Sequence, residues 1–157
     1  MSLKSIQGDI FNLDENSYDV AIAFVAGGFT GINTSFNQCS ERIEISKTLP
    51  YLIYSDKKNK KKHKFYKSRV EMFLSEPEIP NYIDEVVCSA LEEAFNEGKH
   101  IAISGMWIRG LDQIKNEKWM VESIKRWIDV HPEAEVTIID IADNINKHGI
   151  LDLTKQK

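Results

Sequence analysis

The sequence predicts an α/β protein in three layers, with helices on both faces of a mixed, mostly parallel sheet. Three observations carry that expectation. Apolar strand-like runs alternate with segments of helical period along the chain. Glycine-bearing loops follow two of the strand runs directly. The length, 157 residues with 42% hydrophobic and 28% charged, suits one globular domain with an ordinary core.

Each element follows from its own pattern. Leu3 to Gln7 reads as a short strand leading into Gly8-Asp9. Tyr18 to Val25, YDVAIAFV, is a nearly continuous apolar run suited to a strand buried on both faces. After the loop Ala26 to Gly31, residues Ile32, Phe36, Cys39 and Ile43 recur at helical spacing. Leu49 to Tyr54 is a further strand, and the polar run Ser55 to Lys62 separates it from His63 to Val70, a plausible hairpin partner. Ser75 to Asn81 carries Pro77 and Pro80 and reads as a loop. Ile83, Val86, Val87, Ala90, Leu91, Ala94 and Phe95 then form one apolar helix face, with Gly98 placed to end it.

His100 to Ser104 is the next strand, and a helix is expected from Asp112 to about Val130, with Ile124, Trp127 and Ile128 on its buried side. Val136 to Ile141 is the last strand. Residues 1–141 thus form a single domain, and the polar residues 142–157 read as a surface tail.

Charge and composition narrow the function classes. The formal net charge of −4 gives no global attraction to nucleic acid or to an anionic membrane. The basic residues are uneven: seven lysines and one arginine between Lys57 and Arg69 account for eight of the twenty. Such a run suits a solvated hairpin tip. Without an interleaved aromatic platform before Phe65-Tyr66 it does not place nucleic acid among the expected partners. No apolar run approaches the roughly 20 residues of a membrane span, and no signal-peptide pattern opens the chain. Cys39 and Cys88 form no CxxC or disulfide framework, so a reducing, cytoplasmic setting is expected. His63, His100, His131 and His148 lack metal-ligand spacing. Neither a metal nor a cofactor is expected, and the oligomeric state stays open.

In open α/β sheets, ligands bind outside the carboxyl ends of the strands. Two loops fall there, Gly27 to Gly31 and Gly105 to Asp112, each between a strand and a helix. A strand–loop–helix junction presents unpaired N–H groups and the positive end of a helix dipole, which favours an anion such as phosphate.

With those loops placed, the chain resembles the macrodomain family of ADP-ribose-binding modules across roughly residues 4 to 141. Ile6-Gln7-Gly8-Asp9-Ile10-Phe11 looks like the family's opening motif at the end of its first strand. Within the family it is most similar to the terminal ADP-ribose protein glycohydrolase type. The matching stretches are Gly8-Asp9-Ile10-Phe11, Gly31-Ile32-Asn33-Thr34-Ser35-Phe36, Tyr51-Leu52-Ile53 before Lys57, and Gly110-Leu111-Asp112. The resemblance implies a three-layer macrodomain-like sandwich whose partner is ADP-ribose or an ADP-ribosylated protein.

The resemblance also implies residue roles, each with a plainer alternative. Asp9, with Ile10 beside it, would accept hydrogen bonds from the exocyclic amine of adenine; a turn aspartate bonded to its own backbone is the alternative. Gly31-Ile32 and the loop from Ser104 and Gly105 to Gly110 would cradle the two phosphates; ordinary turn glycines are the alternative. Arg109 would add a cation, or be a solvated loop arginine. Trp107 would flank a base or ribose, or seal its loop against the sheet. Asp112 would be the general acid/base that releases ADP-ribose from an acidic side chain, or a helix N-cap. Lys57 would be a nucleophile on the ribose carbon, or one lysine of a solvated tip.

The chain departs from the family pattern in several places. Phe24-Val25-Ala26 stands where many macrodomains carry N-A-A-N, and Thr30 where many carry aspartate. Phe29 and Ile108 interrupt the two glycine loops, where side-chain bulk opposes close backbone approach to a pyrophosphate. Ungapped, Ser55 rather than Lys57 meets the family lysine. Three readings follow: an ADP-ribose-recognising macrodomain, with hydrolysis of ADP-ribosyl groups from acidic side chains as its catalytic form; a module that binds ADP-ribose or a related nucleotide without turnover; or a diverged macrodomain fold whose filled cleft serves an interaction role.

Overall fold

The computed structural model describes residues 2–25, 49–55, 79–105 and 113–152. Five strands form one sheet: β1 (Leu3–Gln7), β2 (Val20–Val25), β3 (Tyr51–Ser55), β4 (His100–Ser104) and β5 (Glu135–Asp140). Their order is β1-β5-β4-β2-β3, and every described pairing is parallel. A mixed sheet would need a strand outside the described residues, where the expected hairpin partner His63 to Val70 lies. The five strands expected within the described residues are present, with ends shifted by two residues at most.

The helices are α1 (Ile79–Phe95), α2 (Gln113–Asp129) and the short α3 (Asn144–Lys147). α1 begins inside the stretch expected to be a loop. Pro80 falls in its first turn, where the missing N–H has no helical partner to lose.

The two faces of the sheet have separate apolar clusters. On one, Val20, Ile22, Phe24, Ile101, Ile103, Val136 and Ile138 meet Ile83, Val87 and Leu91 of α1 and Met120, Ile124 and Trp127 of α2. On the other, the shorter side chains Ala21, Ala23 and Ala102, with Ile139, are covered by Ile10 and Phe11 of the segment after β1. Handedness accounts for the division. The connections β1→β2 and β2→β3 step one way along the sheet, and β3→β4 and β4→β5 step the other. Right-handed crossovers place opposite steps on opposite faces. The β1→β2 segment accordingly lies on the second face, and α1 and α2 share the first. The expected helix through Ile32, Phe36, Cys39 and Ile43 lies outside the described residues, so the second helical layer does too.

Tight contacts join these elements at their ends. Gly98, after α1, sits so close to Asp19 that an added Cβ would collide with the aspartate side chain. Lack of space, rather than a left-handed turn, requires glycine there. At the same end of the α1–α2 pair, Trp127 donates to Glu92 at 2.9 Å and stacks on His131 at 4.0 Å, with Phe95 edge-on to both rings.

The sequence-based boundary at Ile141 is not where packing stops. Residues 142–152 were expected to belong to a surface tail, yet Ile145 and Ile150 are fully buried in the first cluster. Asn146 Nδ2 donates to the Ser5 carbonyl at 2.8 Å, and the Lys125 ammonium donates to the Leu151 carbonyl. Two isolated apolar residues in a polar context give too little period to signal this docking.

Candidate functional site

The strand order fixes where a cleft can open. Between β2 and β4 the chain changes direction: from β2 it steps outward to β3, and from β4 the opposite way to β5. At such a switch point the following connections leave on opposite faces and the carboxyl ends are left uncovered between them. The ladder itself parts there. β2 pairs with β4 over only three registered residues, Val20↔Ile101 to Ile22↔Ile103, while β2 follows β3 as far as Val25↔Ser55. Where the backbones separate, the buried Ser104 hydroxyl accepts the Phe24 N–H at 2.9 Å. A side chain stands in for the missing ladder bond.

Gly105 follows at the crest, buried against Asp140; an added Cβ would lie 3.0 Å from the carboxyl carbon. Asp140 is 3% exposed and ends β5. Its carbonyl accepts the Gly8 N–H at 2.8 Å, which brings the turn after β1 against the ends of β4 and β5. In that turn Asp9 Oδ1 accepts the Phe11 N–H at 2.9 Å, the bonding of a turn aspartate. Ile10 is buried, and its carbonyl accepts the Tyr51 hydroxyl at 3.0 Å. Phe11 stacks on the Tyr51 ring with centroids 5.9 Å apart.

Four sequence-predicted site residues therefore come together: Asp9, Ile10, Ser104 and Gly105 line one small cleft with Ile139, Asp140 and Ile141. Its volume is about 10 Å³, room for a water-sized group and far below a nucleotide pocket. Gly31, Ile32, Lys57, Trp107, Arg109, Gly110 and Asp112 lie outside the described residues. The proposed acid/base and nucleophile are among them.

Ser104 and Asp9 have structural duties as well as a place in the cleft. Sequence reasoning missed Asp140; the last strand was expected to run on to Ile141, and the place of β5 between β1 and β4 is what brings Asp140 to the cleft. It also missed Asn116 and Glu117, polar and fully buried in the first turns of α2. Both polar atoms of the Asn116 amide lack a hydrogen-bond partner, unusual for a buried amide. No periodicity rule singles them out, because they continue the apolar stripe of Met120, Val121 and Ile124.

The cleft floor is acidic. Asp9 and Asp140 place two carboxylates there, whose charge favours a donor-bearing group such as an amine or sugar hydroxyls. Two carboxylates oppose a phosphate there. Among the described residues no group of three or more His, Cys, Asp or Glu is placed to hold a metal, and no described helix is long and apolar enough to cross a membrane. Comparison with protein-family models, characterised proteins and solved structures found no match.

Proposed function

We propose that the chain recognises ADP-ribose or an ADP-ribosylated protein at the carboxyl ends of β1, β5 and β4, beside the switch point between β4 and β2. The observation that carries this reading is the convergence of Asp9 and Ile10 with Ser104 and Gly105 over the carboxyl end of β5, next to the switch point of a parallel sheet. Those residues come from two distant motifs that the macrodomain resemblance assigns to one ligand. The acidic floor divides the ligand: Asp9 and Asp140 suit the donors of the nucleoside part. The resemblance assigns the pyrophosphate to the glycine-bearing stretches that follow β2 and β4 in the sequence, which, Gly105 apart, lie outside the described residues. Removal of an ADP-ribosyl group, with Asp112 as acid/base and Lys57 as nucleophile, is the catalytic extension of the same reading.

A second reading, a diverged macrodomain-like cleft that excludes ADP-ribose, is favoured by the 10 Å³ volume. Calorimetric titration with ADP-ribose separates the two. Saturable heat that Asp9→Ala weakens about tenfold or more, near 1.4 kcal/mol, supports recognition. Absence of heat at millimolar ligand establishes the closed cleft instead. Turnover is tested by incubation with a glutamate-ADP-ribosylated protein. Loss of the modification with the parent but not with Asp112→Ala is the outcome the hydrolase reading requires.

A further inference from the structure

A larger cavity lies at the opposite pole of the sheet, where the strands begin. It has a volume of about 300 Å³ and is lined by Lys4, Tyr18, His100, Glu135 and Thr137, together with Ser17 and the backbone around Ser2. That volume is at the lower end of small-molecule sites. The register explains the opening. Lys4, Thr137 and Ala102 are lateral neighbours on the second face, and His100 and Glu135 are paired one step toward the strand starts. Ala102 and Ala21 fill little space beside Thr137, and no described helix covers this part of the face.

The polar groups are arranged as a receptor rather than as self-satisfied pairs. Thr137 is only 5% exposed, yet its hydroxyl has no hydrogen-bond partner among the described residues. The Lys4 ammonium and the Tyr18 hydroxyl likewise have none among them. Glu135 is held in place because its Oε2 meets His100 Nε2 at 2.7 Å, and His100 is steadied in turn by Asp19 at 3.3 Å. Glu135 lines the cavity, and its ion pair with His100 is made through Oε2. Lys4 and Glu135 stand on adjacent strands and are two residues out of register, roughly 8 Å apart by strand spacing and rise. They carry opposite charges and do not pair with each other. A cation and an anion thus flank a cavity with a buried hydroxyl at its floor.

We propose that this cavity binds a small zwitterion of the α-amino acid type. The carboxylate meets the Lys4 ammonium and the Thr137 hydroxyl, the ammonium meets the Glu135 carboxylate, and the side chain lies against the Tyr18 ring. Lysine supplies a point charge and threonine a directional donor, while the fixed glutamate rejects a second anion.

The test is a titration of the isotope-labelled full chain followed by amide NMR shifts, with L-phenylalanine as probe. Saturable shifts centred on Lys4, Thr137 and His100 are expected. N-acetyl-L-phenylalanine and L-phenylalaninamide, each lacking one charge, should bind at least about tenfold more weakly. Thr137→Val keeps the shape of the buried side chain and Lys4→Met keeps its length. Each should weaken L-phenylalanine by about tenfold while the spectrum stays that of the folded parent. Absence of shifts at about 20 mM probe, equal binding of either single-charge analogue, or indifference to both variants overturns the proposal. Shifts centred on Asp9 and Gly105 overturn it also.

Discussion

Single residues at the amino-terminal edge show how local chemistry holds this sheet. Asp19 accepts the N–H groups of Lys99 and His100 at 3.1 and 3.0 Å and faces the His100 ring. The His100 backbone N–H foremost, with His100 side-chain and Lys99 backbone bonds adding to it, holds the Asp19 carboxyl below its ordinary value of 3.8. A depressed carboxylate pKa stabilises the fold above the unfolded value and loses that contribution as pH falls through the folded one. Asp19→Asn should therefore be less stable than the parent at neutral pH, and the gap should narrow as acid protonates Asp19. Denaturant unfolding at pH 7 and near pH 3 checks this; a gap that widens in acid contradicts it. Because Asp19 is exposed, the effect at neutral pH should be small. The same residue forbids a side chain at Gly98. From sequence Gly98 was legible as a helix stop, but its contact with Asp19 was not, because the two are distant in the chain.

Among the elements, the pair β2 and β4 positions the candidate site. Ser104→Ala removes the acceptor of the buried Phe24 N–H. An unsatisfied buried donor costs about 1–3 kcal/mol, and Ser104→Ala should lose that much stability. The Phe24 amide should also exchange faster with solvent, relative to amides such as Ile22, than in the parent. Unchanged exchange at Phe24 would mean that the hydroxyl is not its partner in solution. Strand positions were legible because Val20 to Phe24 and Ile101 to Ile103 are continuous apolar runs, as doubly covered parallel strands require. The order of the strands was not legible. It depends on long-range pairing between runs of similar composition. The separation of β2 from β4 follows from that order, so Ser104 could be placed at a loop edge but not recognised as a bridging acceptor. Asp9 and Gly105 could be proposed for one cleft from their motifs, whereas Asp140 becomes visible only once β5 lies between β1 and β4.

On the scale of the whole molecule, the domain extends through Asp152. Ile145 and Ile150 close the first apolar cluster beside α2 and β1. Ile150→Ala should lower the unfolding free energy by roughly 2–5 kcal/mol, the range for a buried isoleucine. A surface tail would show a change within about 0.5 kcal/mol, so chemical denaturation decides between them. The sheet also has two chemically different poles. The carboxyl-end cleft has acidic side chains at its floor, and the amino-end cavity carries both charges. The β4 strand reaches from one to the other, from His100 to Ser104. The fold class was readable from the alternation of patterns. Neither the division of the faces nor the second cavity was, since both arise from the lateral neighbours of Thr137 and Ala102.

The two ends of the β2–β4 seam differ in strength. At its start, the seam is fastened by the Asp19 N–H bonded to the His100 carbonyl and by two backbone N–H groups on the Asp19 carboxylate. At its far end, one serine hydroxyl holds the Phe24 N–H. Mechanically this is a hinge and a latch. That one hydrogen bond is worth a net of about 0.5–1.5 kcal/mol where water or a ligand takes over the freed N–H. The hinge meanwhile preserves the register of the strands. A ligand or water that takes over the Phe24 N–H therefore competes with one serine hydroxyl rather than with a run of ladder bonds.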